Sequence, residues 1–481
     1  MYQGRNFVDG HWLAPESREL VDNLNPANSC PVSHYAAASI EDARAALYSA
    51  GNSFKHSAWR NDARLRAQVL LRFAERLRAV RDELCTRVVQ ESGKLAHEAR
   101  FEIGAAISEA EYYAGLARNL FGRVGRLDPN GTSFLTREPV GVALIVVPWN
   151  APVTLLVRSL APAMAAGCSC IVKAAGQTAA SNDLIIQCLV EIDELPNGII
   201  QSLVEPDSIV GQFLVAAPDV DVVSFTGSTA VGKQIMKSGA DTLTRLSLEL
   251  GGKAPAIVFP DADLADAANT ITRCAIVLAG QMCTAISRAL VHVDVLDEMR
   301  SLLLERLKAV RVGPGDDPAS QMGPLINRGS QQRALNFLDT VHSQGEILLK
   351  GTVLEAPHAD GAFVTPSLIA TNSTECELVQ RELFAPILAL ESFSSEEQAI
   401  AKANATRFGL AASLYTRDTG HALHLAQEIK AGTVWINTHN KLFAEAETGG
   451  YRESGIGRLH GVGGLDDFLE TKHIYLPSRG S

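Results

Sequence analysis

Apolar residues recur at three- and four-residue steps through the first part of the chain, then give way to short continuous apolar runs. Leu65, Val69, Leu70, Phe73, Leu77, Val80 and Leu84 form one such stripe, so the chain from Ser39 to about Gly122 is predicted helical, punctuated at Gly93. Ahead of it, Phe7 to Trp12 places an Asp-Gly turn signal between apolar positions, the pattern of a hairpin. Beyond Gly125 the period changes. Val140–Val147 is apolar throughout and rich in β-branched residues, as expected of a strand covered on both faces. Ser169–Val172, Ile199–Val204, Val220–Phe225 and Ala256–Phe259 repeat that pattern, with helical segments near 155–166, 178–193, 207–216 and 230–240 between them. This alternation predicts βαβ units and a mostly parallel sheet. A second set runs from about Asp261 to Asn437, including a helix over 296–310 and strands at Leu388–Phe393 and Thr433–Asn437. The glycine-dense Gly449–Gly464 reads as loop, followed by a short helix over Asp466–Lys472 and a strand at Ile474–Leu476. The plain reading is a two-domain α/β enzyme.

The length of 481 residues suggests two to four domains with ample core. An apolar fraction of 46% with 20% charged residues excludes gross disorder. With 43 basic against 54 acidic residues the net charge is −11, which argues against nucleic acid as a main partner, although a local basic pocket for a small anion is compatible with it. Eight cysteines without a CxxC pair are too sparse for a disulfide scaffold, so reduced thiols in a cytoplasmic setting are expected. The N-terminus lacks the apolar core of a signal peptide, and the most apolar stretch, Val142–Val157, is broken by Pro148, Asn150 and Pro152. It is too short to span a bilayer, and no membrane association is expected.

Four places carry candidate chemistry. Gly227–Gly232 follows a strand and opens a helix, where glycines let backbone amides approach an anion at the helix N-terminus. It lacks the GxGxxG and GK[ST] spacings, so an ordinary strand–helix turn is an equal reading. Cys283 is either a small buried hydrophobe or a nucleophile, the latter requiring a lowered pKa and nearby donors. Glu249, beside Gly251 and Gly252, is either a surface glutamate before a turn or a general base with room for substrate. Asn150 either caps a helix or points an amide at a developing oxyanion.

Taken in order, PWNAP at 148–152, IVKAAGQT at 171–178, FTGSTAVG at 225–232, ELGGKAP at 249–255, GQMCT at 280–284, RELFAP at 381–386 and GGYRESGIGR at 449–458 resemble one family. It is the aldehyde dehydrogenases, which oxidise aldehydes to acids with a nicotinamide cofactor. The resemblance covers nearly the whole chain, and the interval 283 − 249 = 34 is also similar to the family's.

The resemblance implies that Cys283 attacks the aldehyde carbonyl, that the Asn150 amide and the Cys283 N–H hold the resulting oxyanion, and that Glu249 activates the water that hydrolyses the thioester. It implies a pyrophosphate site at Trp149, Ser228 and the Gly227–Gly232 turn with Val231, and Lys173 on the adenosine ribose. Glu382 is implied on the nicotinamide ribose, Phe384 against the nicotinamide, and Leu250 and Gly251 near the carboxamide. NAD is the expected cofactor. Gly176 stands where NAD-preferring members usually carry a ribose-clasping glutamate, which removes a repulsion against a 2′-phosphate and opens NADP use. The implied pocket is bordered by Ala151, Leu155, Arg158, Met282, Thr284, Leu442 and Thr448. Arg158 replaces a common aromatic residue and reads either as an anchor for a carboxylate or phenolate or as a structural ion pair. Val277 and Thr448 depart from semialdehyde and betaine aldehyde members respectively, so the physiological aldehyde stays open. Glu249 favours hydrolysis over acyl transfer to coenzyme A, and the intact Cys283, Asn150 and Glu249 argue against a retired scaffold.

The fold implied is a Rossmann-like cofactor-binding domain over 1–117 and 140–251, a catalytic α/β domain over 252–448, and a small β oligomerisation element from 118–139 and 465–481. SFLTRE at 133–138 and Ile474–Leu476 fit paired strands of that element, through which members form dimers or tetramers.

Overall fold

The computed structural model describes residues 1–14 and 20–478; residues 15–19 of the first expected segment and 479–481 of the last lie outside the described residues. Five parallel strands form the centre of an eight-stranded sheet, in the order Arg245–Glu249, Val222–Thr226, Val142–Val146, Ser169–Ala175 and Ile200–Glu205. The chain leaves Val142–Val146 in one direction through the next two strands, then returns to pair Val222–Thr226 on its other side. That reversal opens a crevice at the carboxyl ends of the strands, where 147–150 and 227–228 lie. Arg245–Glu249 was not among the apolar runs singled out above. It is a strand because it pairs Val222–Thr226 on one edge and Gly455–Ile456 on the other.

The predicted hairpin forms at the far edge of this sheet: Phe7 pairs Trp12 and Val8 pairs His11, with Asp9 and Gly10 both at positive φ. The helical region resolves into Ile40–His56, Ala63–Ala79, Arg81–Ser92 and Ala96–Ala117, with Gly93 closing the third at φ +76°. Ser39 and Asp42 cap the first reciprocally, which fixes where it begins.

A seven-stranded sheet follows. Ser367–Ala370, Ile387–Phe393, Ile286–His292, Ala254–Val258, Ala411–Tyr415 and Thr433–Ile436 are parallel, and Glu346–Leu349 adds an antiparallel edge. Its helices include Leu264–Ile276 and Leu296–Lys308.

The tail differs from the expectation. No α-helix covers 466–472: Gly463–Phe468 is 3-10 helical, and Leu469–Pro477 is one long strand. The local pattern is helix-compatible, but nine consecutive residues pair antiparallel with Gly131–Pro139, and those ladder bonds decide the conformation. With Arg123–Asp128 they make a three-stranded sheet whose 469–477 strand has an open edge. Among the described residues no helix is long and apolar enough to cross a membrane.

Candidate active site

The crevice is lined from both sheets. Asn150 follows the strand Val142–Val146, is buried, and donates its side-chain amide to the Gln281 carbonyl at 2.9 Å. Gln281 lies two residues before Cys283, so this bond ties the amide to the cysteine loop. That loop is held in an unusual backbone conformation: Leu278, Ala279 and Gly280 have φ of +50°, +55° and +75°. Such conformations cost about 1–3 kcal/mol each at non-glycine residues, and the surroundings enforce them. Glu98 accepts from the Leu278 N–H at 2.9 Å, and Gln281 Oε1 accepts from the Ile326 N–H at 2.9 Å. Gly280 packs so tightly that a Cβ would meet the Ala385 backbone at 2.4 Å.

Cys283 is partly exposed at the end of this loop. Burial pushes its thiol up to about 12, and the charges of Glu249 and Glu382 push the same way, while Arg158 and the Thr284 N–H favour the thiolate. Glu249 ends its strand and is buried, with Oε1 lacking a hydrogen-bond partner. Burial raises its pKa above the ordinary carboxylate value, opposed chiefly by Arg158. Thiol, carboxylate and guanidinium therefore form one electrostatic unit.

Arg158 lies on the helix Pro152–Ala166, is 7% exposed, and donates Nη2 to Thr226 Oγ1 at 3.2 Å. Its Nε is buried without a partner, and among the described residues no carboxylate forms an ion pair with it. The structural ion pair weighed above is absent there. Leu155 lies one turn earlier on the same helix, with Ala151 at its N-cap.

Thr284 is buried, and Oγ1 donates to Asn440 Oδ1 at 2.7 Å. His439 holds the Thr284 carbonyl at 2.7 Å, and the Asn440 amide approaches Met282 Sδ at 3.8 Å. Leu442 packs on Trp435, Ala254 and Ala411, and Thr448 exchanges backbone hydrogen bonds with Leu459. Among the described residues no side-chain hydrogen bond links these two positions to Arg158 or Cys283.

The candidate cofactor residues occupy the adjoining strand ends. Ser228 caps the helix Thr229–Gly239 through Val231 N–H, and the Gly227 N–H donates to the Glu249 carbonyl at 2.9 Å. Gly232 abuts Leu250, where a Cβ would meet Cδ2 at 2.5 Å. Trp149 and Phe384 meet edge to face at 5.8 Å between centroids. Glu382 accepts from the Gly252 N–H at 3.0 Å, lies 2.3 Å from where a Gly251 Cβ would sit, and is raised by burial to about 7.

Lys173 has a partner that sequence reading missed, Glu205, at 3.3 Å. Gly176 is no vacancy: a Cβ there would meet the Tyr35 hydroxyl at 2.2 Å and the Glu205 carbonyl at 2.9 Å. Thr226, His439 and Asn440 were also missed. They lie 68 to 156 residues from the partners they hold; Thr226 falls within the FTGSTAVG motif, but nothing local points to its contact with Arg158, and no motif covers His439 or Asn440.

The model of the Aldehyde dehydrogenase family matches residues 12–474. The chain is 33% identical over 473 residues to betaine aldehyde dehydrogenase of Bacillus subtilis (strain 168), covering 98% of this chain and 96% of that protein. It is 34% identical over 469 residues to hydroxyisobutyraldehyde dehydrogenase of Mycolicibacterium austroafricanum, covering 97% and 92%. Among solved structures, betaine aldehyde dehydrogenase of Staphylococcus aureus in complex with NAD+ superposes with a TM-score of 0.97 at 32% identity, covering 100% of this chain and 96% of that one.

Proposed function

The chain belongs to the aldehyde dehydrogenase family, and on that premise we propose that it oxidises an acid-bearing or phenolic aldehyde to its carboxylic acid with NAD, releasing the acyl group to water. The observation that carries this reading is the buried Asn150 amide tied to the cysteine loop through Gln281, together with buried Glu249 and Arg158 that each keep a polar atom without a partner.

Cys283 is the nucleophile and forms a thiohemiacetal with the aldehyde carbon. Its thiol, pushed up to about 12, is mostly protonated at neutral pH, so attack needs a base. Glu249, with a raised pKa and one unpartnered oxygen, serves as that base. The amide of Asn150 carries two N–H donors; one is spent on Gln281, and the other serves the oxyanion. Once hydride has left the thiohemiacetal, Cys283 holds the acyl group as a thioester, and Glu249 takes a proton from the water that hydrolyses it. A buried carboxylate with an unpaired oxygen costs about 1–3 kcal/mol of stability, which supports a catalytic use and favours hydrolysis over acyl transfer to coenzyme A.

The residues present fit a dinucleotide: a serine-capped helix N-terminus, two glycines leaving no space for a Cβ, and an aromatic pair beside a carboxylate. Trp149, Ser228 and the 227–232 turn with Val231 would hold the pyrophosphate, Lys173 the adenosine ribose and Glu382 the nicotinamide ribose, and Leu250, Gly251 and Phe384 would border the nicotinamide. When bound, NAD supplies the hydride acceptor.

Arg158 supports the substrate class. A buried guanidinium with an unpartnered Nε, in ion-pair contact with no carboxylate among the described residues, is open to a substrate carboxylate or phenolate. It equally disfavours a quaternary ammonium aldehyde, whatever the names of the relatives. Ala151, Leu155, Met282, Thr284, Leu442 and Thr448 complete the pocket. The division into a cofactor domain (1–117 and 140–251), a catalytic domain (252–448) and an oligomerisation element (118–139 and 465–481) is supported by the eight-stranded sheet, the seven-stranded sheet and the three-stranded sheet that contains Leu469–Pro477. The open edge of Leu469–Pro477, with Ile474, Tyr475 and Leu476 exposed, supports assembly into homodimers or homotetramers.

Initial rates of reduced-nicotinamide formation across aliphatic, aromatic, phenolic and ω-carboxylated aldehydes test the reading. Acidic and phenolic aldehydes should give the highest kcat/KM, and Cys283→Ala should abolish every rate. Equal rates across the panel would remove the substrate class.

A further inference from the structure

Lys173 meets a carboxylate supplied from the neighbouring strand. Its Nζ lies 3.3 Å from Glu205 Oε1, and the same carboxylate accepts from the Val210 N–H at 2.7 Å and the Gly211 N–H at 2.9 Å. Glu205 ends the strand Ile200–Glu205, and the parallel register sets it beside Ala175, the last residue of the strand that carries Lys173. The group is therefore buried, fixed by two backbone donors and set against a cation. A further carboxylate, Asp207, stands exposed two residues on. Position 176 is closed by Tyr35 and the Glu205 backbone, so no side chain from there reaches this place without displacing them.

Resting on the reading of Lys173 as the adenosine-ribose residue, we propose that Glu205 makes this site select an unphosphorylated ribose, restoring from a second strand the discrimination that glycine at 176 removes. A 2′-phosphate carries a charge of about −1.5 to −2 and needs cations free to form charge-assisted hydrogen bonds. Lys173 is already paired with Glu205 at 3.3 Å. An incoming phosphate would face that fixed negative charge and Asp207 with no uncommitted cation from Lys173, and the repulsion acts as an element built against it. A neutral ribose hydroxyl meets no such penalty.

The test is binding without turnover. Titration calorimetry with ADP-ribose and its 2′-phosphorylated form would be run on the wild type, Glu205→Gln and Lys173→Met. The wild type should bind ADP-ribose at least tenfold more tightly, and added salt should narrow the gap by screening. Glu205→Gln keeps the size and an acceptor for Gly211, and should shrink the ratio at least tenfold by tightening the phosphorylated ligand. Equal wild-type affinities, a salt-independent gap, or a ratio within twofold of wild type in Glu205→Gln would overturn the proposal. The salt series on the wild type decides it even where Glu205→Gln does not fold. Undiminished ADP-ribose binding by Lys173→Met would instead overturn the underlying assignment of the ribose site, and the proposal with it. Loss there with an unchanged ratio in Glu205→Gln overturns the proposal alone.

Discussion

Arg158 Nη2 donates to Thr226 Oγ1 at 3.2 Å, joining the helix Pro152–Ala166 to the strand that leads into the 227–232 turn. A charged hydrogen bond to substrate is worth about 1.5–3 kcal/mol, or roughly 10- to 150-fold. Arg158→Leu should therefore raise KM for acidic and phenolic aldehydes by about that factor. Simple aldehydes should lose only a few fold, through the thiol that Arg158 favours as thiolate. Arg158→Lys should rescue poorly, because an ammonium lacks the planar fork. Steady-state kinetics on paired substrates would read this, and equal losses on both would refute the anchoring role.

Asn150→Ala removes an oxyanion donor and leaves the Gln281 carbonyl unpartnered. Loss of one such donor costs about 3–4 kcal/mol, or roughly 10²–10³ in kcat. The measurement is kcat in a variant whose circular dichroism matches the wild type. A loss below threefold would exclude an oxyanion role.

His439 carries a pH dependence of stability. Burial holds it at about 4 against 6.5 for the ordinary imidazole, so it is neutral when folded and Nε2 donates to the Thr284 carbonyl. The unfolded chain takes up a proton near pH 6.5 that the folded protein refuses until about pH 4. Its contribution is full above pH 6.5 and drains as the pH falls towards 4, about 3 kcal/mol in all. Thermal unfolding from pH 7.5 to 4.5 should show this loss, and His439→Gln should flatten it. An unchanged slope in the variant would contradict the assignment.

Gly280→Ala tests the cysteine loop. At φ +75°, with the Ala385 backbone 2.4 Å from the added Cβ, the change should cost at least about 2 kcal/mol and slow Cys283 alkylation. Gly51→Ala, on an open helix face with nothing within 4 Å, should be neutral or stabilising by up to about 1 kcal/mol. Differential scanning calorimetry separates them. Equal melting temperatures would show that the loop tolerates other backbone conformations.

Much of the fold was legible because covered parallel strands require continuous apolar runs, so Val142–Val146 and Ser169–Ala175 could be read directly. Arg245–Glu249 was harder, since Arg245 and Ser247 within it break the run and its partners lie at 222–226 and 455–456. The tail failed for the same reason: pairing with 131–139, more than 300 residues away, overrides the local pattern of 466–472. Motifs marked Cys283, Glu249 and Asn150 as candidates. They did not mark Glu205, which reaches Lys173 only through strand register, and they gave no role to Thr226 of FTGSTAVG, which meets Arg158 only across a helix–sheet contact. Gly176 read as a missing carboxylate, whereas the fold fills its space with Tyr35.

The central claim is that Cys283 carries the acyl group and Glu249 releases it. The most direct test is a rapid-mixing burst with Glu249→Gln, saturating NAD and an acidic aldehyde, followed by intact-protein mass spectrometry. The account predicts one reduced nicotinamide per site, a stalled second turnover, and a protein heavier by the acyl group at Cys283. Undiminished turnover in Glu249→Gln, or a burst that leaves Cys283 unmodified, would contradict it.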